Sequence, residues 1–204
     1  MRVDRFAAVA VALAALVAAV ALPHAAAQEG AEPQLSSDMQ AEMETWMKLA
    51  QPGEHHRHLA PFVGSWKGVV TSWMGPDTEP MVEEGTAQVS WILGDRFLEW
   101  KLQGNFGGMP FEGFSIEGYN NGNQRYESMW IDNFGTLILY YTGACSDDGA
   151  RRKMETTFTD PMTGGTIFYR SEYSWVDPDH YTFTAFMDKG AGEFKNMEIR
   201  WARQ

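Results

Sequence analysis

From Ser65 onward the chain alternates apolar and polar residues with a period of two. Ala87, Val89, Trp91 and Leu93 fall on one face, opposite Gln88 and Ser90. Leu98, Trp100 and Leu102 oppose Glu99, Lys101 and Gln103. Ile167, Tyr169, Tyr173 and Trp175 oppose Arg170, Glu172 and Ser174, and Tyr181, Phe183, Ala185 and Met187 oppose His180, Thr182 and Thr184. Met197, Ile199 and Trp201 oppose Glu198 and Arg200. Successive side chains of a strand point to opposite faces, so this is the signature of strands with one buried side. The pattern predicts strands at 65–75, 82–93, 95–105, 110–119, 124–132, 136–145, 150–159, 165–176, 180–188 and 194–203.

Turn residues separate the strands. Gly94-Asp95 suits a two-residue hairpin, and Asn120-Asn121-Gly122-Asn123, Asp147-Asp148-Gly149, Asp177-Pro178-Asp179 and Lys189-Gly190-Ala191-Gly192 are further turn signals. No helical interval interrupts the series, so the fold class is all-β. Nearest-neighbour hairpins throughout favour an up-and-down antiparallel barrel of about ten strands, which removes exposed edges. Two runs break the alternation: Leu137 to Tyr141, and the segment holding Tyr126, Met129, Trp130 and Ile131. Such strands are expected to be covered on both faces.

Before the strands comes one amphipathic helix. Ser37 with Gln40 makes a capping box, and Pro52-Gly53 ends the helix. Met39, Met43, Trp46, Met47 and Ala50 form its apolar stripe, which is expected to pack on the doubly apolar strands. Earlier still, Arg2 and Arg5 precede an apolar run from Phe6 to Leu22, and Ala25-Ala26-Ala27 offers small residues for signal peptidase. This reads as a secretory signal cleaved after Ala27, with a periplasmic or secreted product. The expected organisation is therefore a signal peptide at 1–27, a disordered linker at 28–36, a helical lead-in at 37–63 and a barrel domain at 64–204.

Charge and cysteine narrow the function. The formal net charge is −11. An acidic chain repels phosphate backbones and anionic lipid, so no nucleic acid partner and no stable membrane insertion after signal cleavage are expected. Cys145 is the one cysteine, which leaves no internal disulfide. Its sequence neighbours Asp147 and Asp148 disfavour a thiolate, against Arg151 and Arg152 a little further on.

Gly64-x-Trp66 ahead of a strand meander resembles the opening motif of lipocalins and other calycins. In that superfamily the Trp closes the barrel floor and a basic residue of the last strand crosses its ring. Arg203 matches that residue here. A longer series of motifs runs Pro52-Gly53-Glu54-His55-His56, Gly108-Met109-Pro110-Phe111-Glu112-Gly113, Gly118-Tyr119-Asn120, Trp130-Ile131-Asp132-Asn133, Thr159-Asp160-Pro161-Met162-Thr163-Gly164 and Met197-Glu198-Ile199. In this order they resemble the bacterial family known as domain of unknown function 1579, over about residues 46–203. The resemblance implies a calycin-like barrel and carries no established activity. Asn120 stands where the family commonly has Asp, and His58 is an additional histidine.

Candidate chemistry is sparse. Gly113-Phe114-Ser115-Ile116-Glu117 lacks the last glycine and the strand-to-helix context of a nucleophile elbow. Glu112 and Glu117 have opposite parity on one strand, so they do not form an acid–base pair. No phosphate loop, dinucleotide fingerprint or zinc-protease motif is present. What remains is a container hypothesis. Met109 and Phe111 on a Gly-rich hairpin, with Trp130 and Asp132, are expected at the barrel rim, where they would bind a small apolar or amphipathic molecule. No cofactor is predicted. Metal at His55 and His58 and haem at His180 are alternatives, as is an enzyme with a His/Asp site at the barrel mouth using His55, His56 or Asp132. A partner-binding module built on the Met39–Met47 helix is a third reading. Gly64, Trp66 and Arg203 are expected to be structural barrel closure.

Overall fold

The computed structural model describes residues 36–204. The expected signal peptide and all but the last residue of the linker lie outside the described residues. The elements are α1 (Ser37–Leu49), α2 (Glu54–Arg57), a 3-10 turn (Ala60–Phe62) and ten strands. These are β1 (Gly64–Ser72), β2 (Met81–Ile92), β3 (Phe97–Phe106), β4 (Met109–Asn120), β5 (Arg125–Asp132), β6 (Leu139–Cys145), β7 (Arg151–Thr159), β8 (Thr166–Asp177), β9 (His180–Asp188) and β10 (Phe194–Arg203). Every strand pairs antiparallel with its neighbour in sequence, and β1 closes on β10. The result is the all-β up-and-down barrel that the alternation implies.

Contacts divide the chain into two units, 1–44 and 45–204. The first contributes the opening turns of α1 among its described residues. The second contains the barrel. The α1 cap is Ser36, one residue before the expected Ser37: its hydroxyl accepts from the Met39 amide at 3.3 Å. No residue of α1 is buried, and Met39, Met43, Trp46 and Met47 are exposed. Within the unit that holds the barrel, Trp46 and Met47 do not meet the expectation of a packed stripe. The outward face of β6 is open as well, with Tyr140 67 % exposed. Asn121, in the β4–β5 turn, donates to the carbonyls of Leu49 and Gln51 at 2.8 and 2.9 Å. Among the described residues no helix is long and apolar enough to cross a membrane.

The strand limits follow the predicted ones closely, with three physical exceptions. β1 stops at Ser72, before the Gly75–Thr78 turn, and β6 starts at Leu139 instead of residue 136. The β2–β3 connection is not a two-residue hairpin. Ile92 pairs with Phe97, so residues 93–96 form the turn. Leu93, Gly94 and Asp95 all take positive φ there, at 53°, 67° and 59°. Leu93 therefore leaves the inward row and is 71 % exposed.

Parity assigns the barrel's interior. Trp66, Ala87, Val89, Leu98, Trp100, Tyr181 and Trp201 point inward and are buried. They crowd the end where β1 begins. Leu59 and Phe62, from the lead-in, plug that end and are 0 % and 2 % exposed. The Phe62 ring touches Trp100, Tyr173, Trp175 and Tyr181, with centroids between 4.8 and 5.6 Å away. This floor is a dense aromatic packing, in which edge-to-face contacts add to apolar burial.

Candidate functional site

The floor is held by its two ends of sequence. Trp66 and Arg203 are paired positions of β1 and β10. The guanidinium carbon of Arg203 lies 4.2 Å from the Trp66 ring centroid, and the indole N–H donates to the Phe62 carbonyl at 2.8 Å. Arg203 also donates to the carbonyls of Val63 and Pro61 at 2.9 and 2.8 Å, tying the lead-in to the last strand. Gly64 has φ of 138°, and a Cβ there would meet Arg203 Nη1 at 2.7 Å. Gly64-x-Trp66 is thus spaced for a guanidinium to pass over the glycine and onto the ring.

The histidines lie at the same end. His55 stacks on Tyr119 with centroids 4.1 Å apart. His56 is buried, and its Nδ1 accepts from the Gly53 amide at 3.0 Å, closing the start of α2. Burial lowers its pKa, helped by the nearby charges of His55 and Arg96. His58 Nδ1 sits 3.2 Å from the Tyr126 hydroxyl, which itself donates to the His55 carbonyl at 3.0 Å. The His55 and His58 rings are 5.6 Å apart and nearly perpendicular, and each is engaged by a tyrosine. Among the described residues no group of three His, Cys, Asp or Glu side chains is placed to hold a metal ion. His180 follows the outward row of β9 and is held by Asp177 at 2.8 Å.

Met109, Phe111, Trp130 and Asp132 lie at the opposite end, the mouth. Phe111 and Trp130 stack at 6.3 Å with planes 17° apart, and Phe111 and Phe106 both approach Phe134. The Trp130 ring lies flat over Gly113, where a Cβ would come within 2.4 Å of it. Asp132 is spent on structure. One oxygen accepts from Trp130 Nε1 at 2.8 Å and the other from the Phe134 amide at 3.0 Å. It aims the indole and caps the turn. Met109 is 54 % exposed, at the tip of the β3–β4 hairpin. A joint His/Asp site at the mouth is ruled out by distance. His55 rests on Tyr119, Asp132 pairs with Gly113, and six positions of β4 separate the two, about 20 Å of strand.

Between floor and mouth the interior changes character. Val70, Leu102, Ser115, Ser128, Trp130, Tyr141, Phe183 and Met197 point inward, yet each is only half-buried. Val70, Leu102, Tyr141, Phe183 and Met197 pack against the buried cluster from the mouth side while still reaching water in part. The barrel is therefore fully buried on the floor side and only partly buried on the mouth side. Two shallow grooves of about 590 and 410 Å³ mark the outer wall, over β6–β8 and β3–β5. The first is flanked by the ion-paired Arg170 and Glu193. Neither groove is enclosed.

At the boundary lies a group the sequence reading did not single out. Glu117 and Arg152 are 3 % and 2 % exposed. Arg152 Nη2 is 2.9 and 3.0 Å from the two Glu117 oxygens. The guanidinium also rests against the rings of Phe62, Tyr126 and Tyr173 at 4.7, 5.6 and 4.5 Å. Burial raises the Glu117 carboxyl, against the pull of Arg152 and of Trp100. Cys145, one strand over, is also raised by burial, which keeps it a thiol.

The family described as protein of unknown function, DUF1579, matches residues 51–203. The chain belongs to the DUF1579 family. No curated protein matches it. Among solved structures, Rv2717c from M. tuberculosis is similar at a TM-score of 0.56 and 17 % identity, covering 76 % of this chain and 99 % of that one. That likeness concerns the fold. EF1p2_mFAP2b bound to DFHBI aligns at a TM-score of 0.37 and 14 % identity, covering 74 % of this chain and 100 % of that one, which is too loose to bear on the site. In this DUF1579 barrel the Glu117–Arg152 pair was legible only as parity. Arg152 shares the inward row of Met154, and Glu117 that of Ser115. A charge on an inward row is the signal, and it emerges once the strand register is known.

Proposed function

We propose that this protein is a carrier, which takes a small apolar or amphipathic molecule into the mouth side of its barrel. The observation that carries the reading is the row of inward, half-buried side chains from Val70 to Met197. Barrels of this size hold one small ligand when their side chains leave room. Phe111 and Trp130 would form the wall the ligand passes, with Met109 as an adaptable tip and Asp132 positioning the indole. Asp132 is already spent on Trp130 Nε1 and the Phe134 amide, which favours binding over catalysis. The protein would act in the periplasm or after secretion, as its N-terminal charge, apolar run and alanine triplet suggest.

Native mass spectrometry after incubation with lipid extracts tests this reading directly. A discrete added mass is expected, together with quenching of tryptophan fluorescence. A barrel whose mass and fluorescence stay unchanged with every extract would rule the carrier out.

A further inference from the structure

This inference rests on the carrier reading and specifies the chemistry of the ligand's inner end. Two polar atoms near the barrel's centre have no hydrogen-bond partner, Arg152 Nε and Tyr181 Oη. Beside them Glu117 Oε1 is engaged by Arg152 Nη2 at 2.9 Å, and Trp100 donates to the Glu117 carboxylate. Arg152 and Tyr181 are 2 % and 1 % exposed. Buried polar groups are nearly always satisfied, so two such donors in one layer point to a partner that is not part of the chain.

These four side chains belong to one place. Phe62 touches Trp100 at 5.5 Å, Tyr181 at 5.0 Å and the Arg152 guanidinium at 4.7 Å. Glu117 is bound to Arg152. Phe62 and Trp66 close the floor beneath this layer, so a ligand reaches it from the mouth alone. On that side the wall is Leu102, Ser115, Ser128, Tyr141 and Phe183, all partly open.

The unused capacity defines the head group. Arg152 Nε offers an N–H and Tyr181 an O–H, two donors aimed at an oxygen acceptor, while Trp100 and Glu117 are already engaged. Glu117 already balances the charge of Arg152, so an ionised head would bring a second negative charge beside the carboxylate. We propose that the Trp100–Glu117–Arg152–Tyr181 layer receives the inner end of the ligand, and that this end is an uncharged oxygen group, a hydroxyl or a carbonyl. The rings of Trp100, Tyr173 and Tyr181 would flank a flat frame behind that oxygen.

Three probes on one frame test it: naphthalene, 2-naphthol and 2-naphthoate, measured by equilibrium dialysis against the purified protein at neutral pH. 2-Naphthol is expected to bind about tenfold more tightly than naphthalene, the worth of one or two net hydrogen bonds. 2-Naphthoate is expected to bind most weakly. The Tyr181→Phe variant should shrink the 2-naphthol preference severalfold and leave naphthalene binding unchanged. Equal binding of all three probes overturns the inference while the carrier reading stands. 2-Naphthoate binding as tightly as 2-naphthol overturns the uncharged head. Binding of none of the three also overturns the inference, and the carrier reading falls with it only if lipid extracts leave the protein's mass unchanged.

Discussion

Arg152 and Glu117 form an ion pair inside the barrel, with Arg152 Nη2 2.9 and 3.0 Å from the two carboxylate oxygens. Taking two charges out of water costs more than their attraction returns unless the remaining atoms are satisfied. Here Arg152 Nε is not. The pair is therefore a poor stabiliser, and removing one member leaves the other charge buried alone. Arg152→Met is expected to cost about 3–5 kcal/mol in urea denaturation. The double variant Arg152→Met, Glu117→Leu should recover most of that loss. A double variant no more stable than the single one would mean that the pair holds the core together.

Glu117 and His56 give opposite pH dependences. Burial raises the Glu117 carboxyl above its ordinary value of 4.5, so the folded state keeps a proton that the unfolded state has released. Its contribution to stability is full below about 4.5 and is lost as pH rises through the folded value. His56 is lowered from 6.5, chiefly by burial. Its contribution is full above about 6.5 and is lost as pH falls through the folded value. Denaturation between pH 4.5 and 7.5 separates them. Glu117→Gln should remove the loss on raising pH. His56→Gln keeps an acceptor for the Gly53 amide and should remove the loss on lowering pH. Unchanged slopes in either variant would assign the dependence to other groups.

How far the sequence can be read depends on which interactions are periodic. Trp91, Trp100 and Trp201 face inward because the alternation is strict, and the same alternation gave ten strands in meander order. Arg203 over Trp66 was legible through the resemblance to calycins, in which a basic residue of the last strand crosses the opening Trp. The Glu117–Arg152 pair was hidden, since it joins β4 to β7 across the interior and no local pattern encodes that contact. The exposed stripe of α1 ran against its pattern: amphipathicity shows that a face wants cover and not what covers it. Leu93 failed for a local reason. The strand period was carried one residue into a turn whose backbone is left-handed.

That turn is improvable. Leu93 has φ of 53° and is 71 % exposed, so it gains little from burial. A branched or bulky side chain in the left-handed region costs roughly 1–2 kcal/mol, and Asn tolerates it. Leu93→Asn is expected to stabilise the protein by about 1 kcal/mol, raising Tm by about 2–4 °C for a chain of this size. Leu93→Val, which stiffens the side chain at Cβ, should move Tm the other way. Equal Tm values for the two variants would show that the turn relaxes freely.

The floor makes the sharpest structural prediction. At Gly64 two penalties meet: a φ of 138°, and a Cβ position 2.7 Å from Arg203 Nη1. The first is a property of the backbone, and strain of this kind costs about 1–3 kcal/mol. The second exists only while Arg203 lies across the glycine toward the Val63 carbonyl. Gly64→Ala is therefore expected to destabilise by about 2–4 kcal/mol, with part of that cost coupled to Arg203. Arg203→Ala alone removes the cation–π contact, three carbonyl bonds and the exposed pairing with Asp179, and should cost about 3 kcal/mol. In the Arg203→Ala background the cost of Gly64→Ala should fall to the backbone part. A cycle of the four proteins in urea, read by near-ultraviolet circular dichroism of the aromatic floor, measures the coupling. Additivity within about 0.5 kcal/mol would mean that the glycine answers to its φ alone and that the guanidinium does not need the space.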